Sequence, residues 1–394
     1  MATTTEPSVV VSLDGLGLDQ GGHLLVNQAL KAIPVGGALE IAGTDPHLRL
    51  HLQAWARQRG HQVNGLTIIK GAAGDARWRG AERAGETSTA AEHALATWGF
   101  AARGSLVELG GPALVGADLD VKSELWADLV PKLYAQAIAS QWDPNAAIDW
   151  CEPNELPDDI ERAVVQVMTF LIENEQAALV VPARFIGRVH PHFREVLQLL
   201  AVQLADEARH VEVFTRRASL RSPLLGTSGA GGRASLQTLL DESEFSVAMF
   251  LLSVLGEGTF LHLLSFIERN APDRLTATIA HLVLQDEARH VAFGLGHLQE
   301  QLRVEPALRE RLQASIVRRH DALAATAGLN EDVFDALVVL AAGSWTTKSI
   351  GEGYAKVQEL EREMDEGRQR RLVRLGFSAD VASELSALHT RNFM

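Results

Sequence analysis

The chain holds one cysteine, Cys151, among 394 residues. A disulfide within the chain and a four-cysteine metal site are therefore both excluded. Tyrosine is almost as scarce, at Tyr134 and Tyr354. Positive charge is in deficit: 36 Lys and Arg face 50 Asp and Glu, for a net charge of −14. With no concentrated basic stretch either, nucleic acid is an unfavourable partner. No uninterrupted apolar run reaches the roughly 18–20 residues that span a bilayer. The opening MATTTEPS lacks the basic and apolar regions of a signal peptide. The expectation is a cytoplasmic protein with no membrane partner. What is present, 46% hydrophobic and 22% charged residues, is enough for a large core, and the length suggests two or three domains.

Three zones are expected. Residues 1–70 read as a small α/β sandwich in the order strand, helix, strand, helix, strand. VVVSLDGLGL is a strand ending in glycine, HLLVNQALKAI has helical apolar spacing, and ALEIAG is a second strand. TDP then opens a helix, with Pro46 in its first turn and Gly60 at its end, and GLTIIKG is the third strand. Residues 71–118, rich in Gly, Ala and charge, read as a linker. From residue 119 to 394 nearly everything recurs at helical spacing. The main interruption is RSPLLGTSGAGGRAS, residues 221–235, read as a loop.

The hexapeptide DEARHV occurs twice, at Asp206–Val211 and Asp286–Val291. Glu-x-x-His on a helix places both side chains on one face, one turn apart. A four-helix bundle holding two metals needs one further carboxylate from each of two other helices. In VVQVMTFLIENEQAALVV, Glu175 continues the stripe of Val164, Met168, Leu171 and Ala178, whereas Glu173 continues a polar stripe, so Glu175 is the candidate. In VAMFLLSVLGEGTFLHLLSFI, Glu257 is the one acid between Glu244 and Glu268, and burying it is costly unless it is paired or metal-bound. Glu175 precedes Glu207 by 32 residues and Glu257 precedes Glu287 by 30. At about 1.5 Å per residue, each gap suits an antiparallel helix pair. The stretch from Glu207 to Glu257 is long enough for one crossover. The expected metal ligands, and so the catalytic centre, are Glu175, Glu207, His210, Glu257, Glu287 and His290. Carboxylate oxygens with two imidazoles suit iron or manganese.

The pattern E…DEARH…E…DEARH resembles the ferritin-like di-iron carboxylate oxidases and oxygenases, over residues 119–394. The resemblance implies an all-α four-helix bundle with extra helices. It implies two Fe ions, or a Mn/Fe pair, with O2 as co-substrate. Glu207 and Glu287 would bridge the metals, and Glu175 and Glu257 would be terminal ligands. Asp206 and Asp286 would hold the free histidine N–H groups, each aspartate serving the histidine of its own hexapeptide. Arg209 and Arg289 would pair with those aspartates or with a ligand. The implied activity is oxidation of an organic small molecule or carrier-bound substrate by hydroxylation, desaturation or N-oxygenation. It would use an external electron donor. A ferroxidase or metal-binding protein, or a scaffold that recruits a partner, are the alternatives.

Within residues 1–70, LDGLGL, IPVGGALEIAGTDP and WARQRGHQV resemble the small sulfur carriers typified by TusA. That family carries sulfur on a cysteine at the start of its first helix, where this chain reads GLDQGGH. Sulfur relay through a persulfide is therefore unavailable here. Four other features stand out. Gly256 and Gly258 flank Glu257 and either leave room for a carboxylate shift or a substrate, or allow close helix packing. QWDP, residues 141–144, is expected to pack on the ligand helices. The charged run QELEREMDEGRQRRLVRL is expected to be a solvated face or the face of a homodimer. The terminal LHTRNFM is expected to be an ordered end.

Overall fold

The structure, a computed structural model, describes residues 9–152, 155–324 and 331–388. The expectations placed on residues 1–8 and 389–394 lie outside the described residues. The chain forms two compact units.

The first unit contains the described residues up to Ala84 together with Ala101–Pro112. β1 (Val9–Ser12), α1 (Gly22–Lys31), β2 (Ala38–Ala42), α2 (Leu48–Gln58), β3 (Gln62–Asn64) and β4 (Thr67–Ile69) follow in turn. The sheet order is β1-β2-β4-β3; β1 runs parallel to β2, and β4 is antiparallel to both neighbours. The inward residues Leu39, Ile41 and Ile68 meet Val26, Leu30, Leu48 and Leu52 from the two helices in one apolar core. The fourth strand departs from the expected order. QVN follows the helix and forms β3, and the chain turns through Gly65 at φ +64°, a backbone that glycine adopts without steric cost.

The span read as a linker, residues 71–118, is divided between the units, which corrects the boundaries 1–70, 71–118 and 119–394. A short helix α3 (Ala73–Arg77) and a two-stranded ribbon of β5 (Glu82–Arg83) and β6 (Leu106–Val107) belong to the first unit. Gly85–Phe100 belongs to the second, with the described residues from Ala113 onward.

The second unit is helical. α4 (Val130–Ala139) and the short α5 (Pro144–Ala147) precede the hairpin of α6 (Asp158–Ile186) and α7 (Arg194–Ala218). α8 (Ala230–Leu240) lies in the crossover, so the loop expected at 221–235 is already helical from Ala230. The second hairpin starts with α9 (Phe245–Met249), widens into a π-helix over Phe250–Glu257, resumes as α10 (Gly258–Asn270) and returns as α11 (Arg274–Val304). α7 meets α11 at the centre, giving the bundle of two hairpins, and α4 lies across both. α12 (Leu308–Ala324), α13 (Glu331–Ala342), α14 (Thr347–Arg374) and α15 (Ala379–Ala387) complete the unit. α13 packs on α6, and α14 packs on α13, α10 and the π-helix.

Two helical stretches, Asp158–Ile186 and Phe245–Asn270, are long and apolar enough on average to cross a membrane. Here most of their apolar surface is buried inside the bundle, and they carry Glu175 and Glu257. One end of the bundle is pinned by Arg217. Its guanidinium is fully buried and donates to Glu161 Oε1 at 2.8 Å, Asp273 Oδ2 at 2.9 Å and Thr276 Oγ1 at 2.7 Å, joining α7, α6 and the start of α11.

Candidate metal centre

α6 presents Glu175, α7 presents Glu207 and His210, the end of the π-helix presents Glu257, and α11 presents Glu287 and His290. All six are buried. Helical phase separates Glu175, 2% exposed, from the half-buried Glu173. The ligand atoms fall into two groups, each within 4.8 Å. One holds Glu175, Glu207, His210 and Glu287; the other holds Glu207, Glu257, Glu287 and His290. Glu207 and Glu287 belong to both groups, while Glu175 and Glu257 belong to one each.

His210 Nδ1 lies 3.2 Å from Glu207 Oε2, 3.3 Å from Glu175 Oε2 and 3.2 Å from Glu287 Oε1. His290 Nδ1 lies 3.0 Å from Glu207 Oε1, yet neither atom has the alignment of a hydrogen bond. Glu175 Oε1, Glu257 Oε2 and both Glu287 oxygens are likewise buried without a hydrogen-bond partner. Buried polar atoms are normally satisfied, and leaving them bare costs free energy. Burial, and then the Glu287 charge, push the Glu175 and Glu257 carboxyls well above their ordinary range. For Glu207 burial also pushes upward, but the imidazoles of His290 and His210 outweigh it and hold the carboxyl low. Burial lowers both imidazoles, and the facing carboxylates reverse this and raise them. Fully ionised, the four carboxylates would carry four negative charges, which two divalent cations would cancel. With two imidazole nitrogens aimed at the same space, the donor set fits a pair of hard or borderline ions.

The outer nitrogens are held in a crossed arrangement. His210 Nε2 lies 3.2 Å from Asp286 Oδ2, and His290 Nε2 lies 3.4 Å from Asp206 Oδ2. Each aspartate therefore serves the histidine of the other hexapeptide, which corrects the expected pairing within one copy. The carboxylates of Asp206 and Asp286 reach across the gap between α7 and α11. Arg209 donates to Asp206 Oδ1 at 2.5 Å and to Asp286 Oδ2 at 2.9 Å, and Arg289 donates to both aspartates in turn. Both guanidinium groups are about one-tenth exposed.

QWDP does more than pack. Gln141 Nε2 donates to Asp206 Oδ1 at 2.9 Å, and Trp142 Nε1 donates to Asp286 Oδ2 at 2.8 Å. Arg209 also lies over the Trp142 ring, 4.6 Å from its centroid. Gln203, four residues before Glu207 and so on its face, donates to Glu257 Oε1 at 3.3 Å. Spacing could have identified Gln203; nothing in the sequence marks the bonding of Gln141 and Trp142.

Beside the cluster lies a small cavity lined by Asn174, Glu175, Ala178, Leu252, Gly256, Glu257, Phe260 and Glu287. Its volume of about 20 Å³ is room for roughly one water. A wider cleft of about 450 Å³, bordered by Arg162, Gln166, Arg221 and Leu224, includes none of the six residues. Gly256 faces the small cavity, but the space beside Gly258 is filled by Arg371.

No protein-family model and no curated protein matches the chain. Among solved structures, it is similar to a point mutant of an R2-like ligand-binding oxidase with an anaerobically reconstituted Mn/Fe cofactor. The identity is 18%, over 64% of this chain and 95% of that one, with a TM-score of 0.46. It is similar to the R2-like ligand-binding oxidase from Sulfolobus acidocaldarius, at 16% identity over 61% and 91% of the chains and a TM-score of 0.41. It is also similar to a Synechococcus protein with aldehyde deformylating oxidase activity, at 18% identity over 58% and 96% and a TM-score of 0.42.

Proposed function

We propose that this chain is a non-haem dinuclear oxidoreductase that uses O2 to oxidise an organic substrate. The observation that carries this reading is the convergence of six buried donors, several with no hydrogen-bond partner, in two groups that share Glu207 and Glu287. Glu175 and His210 would hold one ion, Glu257 and His290 the other, with Glu207 and Glu287 between them. Two Fe ions, or a Mn/Fe pair, supply the reduction of O2 when bound. In a hydroxylation, four electrons take O2 to the level of water: two from the substrate and two from an external donor.

The chain's own residues divide the work by side. Asp206 and Asp286 accept from the outer histidine nitrogens, which fixes each imidazole in orientation and raises its basicity. Gln141, Trp142, Arg209 and Arg289 close that side with hydrogen bonds. Substrate would approach from the side of Leu252, Gly256 and Phe260. A molecule larger than water needs that segment to move. The α/β unit is proposed as a cysteine-less relative of the TusA-like carriers that docks a partner or a carrier-bound substrate. A cytoplasmic site of action completes this reading.

Anaerobic loading followed by metal analysis is expected to give about two ions per chain, lost in Glu207→Ala with His290→Ala. O2 uptake with reductant is then expected to depend on substrate. Two bound ions with no reductant-driven O2 uptake across a substrate panel would overturn the oxygenase reading, and oxidation of many Fe(II) per chain would point to a ferroxidase.

A further inference from the structure

Glu257 is the last residue of the π-helix Phe250–Glu257, a wide turn of a kind rare in proteins and frequent at functional sites. At its C-terminal end Gly258 N–H donates to the carbonyl of Ser253, five residues back. The return to four-residue spacing in α10 skips one carbonyl in the register. The carbonyl that follows Ser253 is Val254 O, and it accepts from Arg371 Nε at 2.6 Å. Arg371 Nη2 also lies 3.4 Å from Thr259 Oγ1, and Thr259 Oγ1–H donates to Leu255 O at 2.7 Å.

The slot for this guanidinium is shaped by two glycines on facing helices. A Cβ on Gly258 would lie 2.7 Å from Arg371 Cζ, and a Cβ on Gly367 would lie 3.1 Å from its Nη1 and overlap the His262 ring. Arg371 is 7% exposed. Burial, with Arg368 and Arg370 adding to it, lowers it to about 9. Burying a guanidinium is costly without compensation, and both of its recorded bonds go to the π-helix and its first following turn.

We infer that Arg371, from α14, is a positioning residue that locks the wide turn and thereby sets where Glu257 meets the cluster. The inference rests on Glu257 being a ligand, as proposed above. It makes the charged α14 a support of the site, and it makes Gly258 and Gly367 parts of the Arg371 slot.

The test uses anaerobic Co(II) titration of the full chain, read by absorption, with amide hydrogen exchange over residues 250–259 in the metal-free protein. Arg371→Gln is expected to weaken one of the two binding steps by about tenfold, the magnitude typical of lost outer support. That step is the one abolished in Glu257→Ala; the other stays within about twofold. Exchange across the π-helix is expected to accelerate. Arg371→Lys, which keeps one donor for Val254 O, restores part of the affinity. Gly258→Ala, which expels the guanidinium, reproduces Arg371→Gln. A general loss of stability would weaken both steps alike and would overturn the inference, as would wild-type affinities and exchange in Arg371→Gln. Fewer than two Co(II) ions on the wild-type chain would overturn the metal reading instead; exchange would then still decide whether Arg371 holds the turn.

Discussion

Asp206 and His210 sit one helical turn apart, yet each bonds across to the other repeat. His210 leans on Asp286 and His290 on Asp206, and Arg209 and Arg289 each bridge both aspartates. The crossing has a consequence that pairing within one repeat would not have. Asp286→Asn is expected to weaken the ion shared by His210 and Glu175, although Asp286 is next to Glu287 and four residues before His290. Asp206→Asn is expected to weaken the ion shared by His290 and Glu257. Removing the partner of a ligating histidine lowers affinity by about 10–100-fold. Co(II) isotherms in Glu175→Ala and Glu257→Ala backgrounds, each with a single step left, assign the loss. If Asp206→Asn weakened the step that survives in Glu257→Ala and spared the other, the crossed arrangement would be wrong.

Among the elements, the two hairpins depend on Arg217, whose guanidinium ties the first turn of α6 and the N-cap of α11 to the end of α7. Arg217→Met would leave Glu161 and Asp273 facing each other in a buried place without their cation. Breaking a buried ion pair on one side costs about 3–5 kcal/mol; equilibrium unfolding in denaturant should show that loss, and a change below about 1 kcal/mol would mean the carboxylates find water or each other's proton. Periodicity could identify the helices that Arg217 joins, and the placement of Glu175 rather than Glu173 inside the bundle, because an α-helix keeps its phase for many turns. Phase is a weaker guide to Glu257. The π-helix shifts the register by one residue, so Leu252, Gly256 and Phe260 share the cavity, and a carbonyl within it, Val254 O, accepts from an arginine 117 residues away. A tertiary contact of that kind leaves no local signal. Nor do strands of two or three residues such as β3, β5 and β6, which are too short for alternation to show. α8 is hidden for another reason, since Gly231 and Gly232 depress helix propensity and packing against α6 and α12 compensates.

For the whole molecule, the reading of residues 71–118 as a linker fails because composition reports flexibility of the unfolded chain, not where its backbone bonds go. Ala84 N–H donates to Ser105 O at 3.0 Å inside the α/β unit. Ala94 N–H donates to Asp120 O at 2.8 Å inside the helical unit. Gly85–Phe100 therefore belongs to the helical unit although the flanking segments belong to the other. Two units with separate cores predict two unfolding transitions, since cooperativity follows the core. A ligand stabilises only the unit whose folded state binds it, by about 2.7 kcal/mol at a hundredfold excess over Kd. Calorimetry of the metal-free chain is expected to resolve two transitions, and anaerobic Co(II) is expected to raise the larger, helical one while leaving the smaller in place. A single transition that shifts as a whole on adding Co(II) would mean that the interleaved segments couple the units into one cooperative body. In that case the α/β unit would sense the state of the metal centre, and a partner docked on it would too.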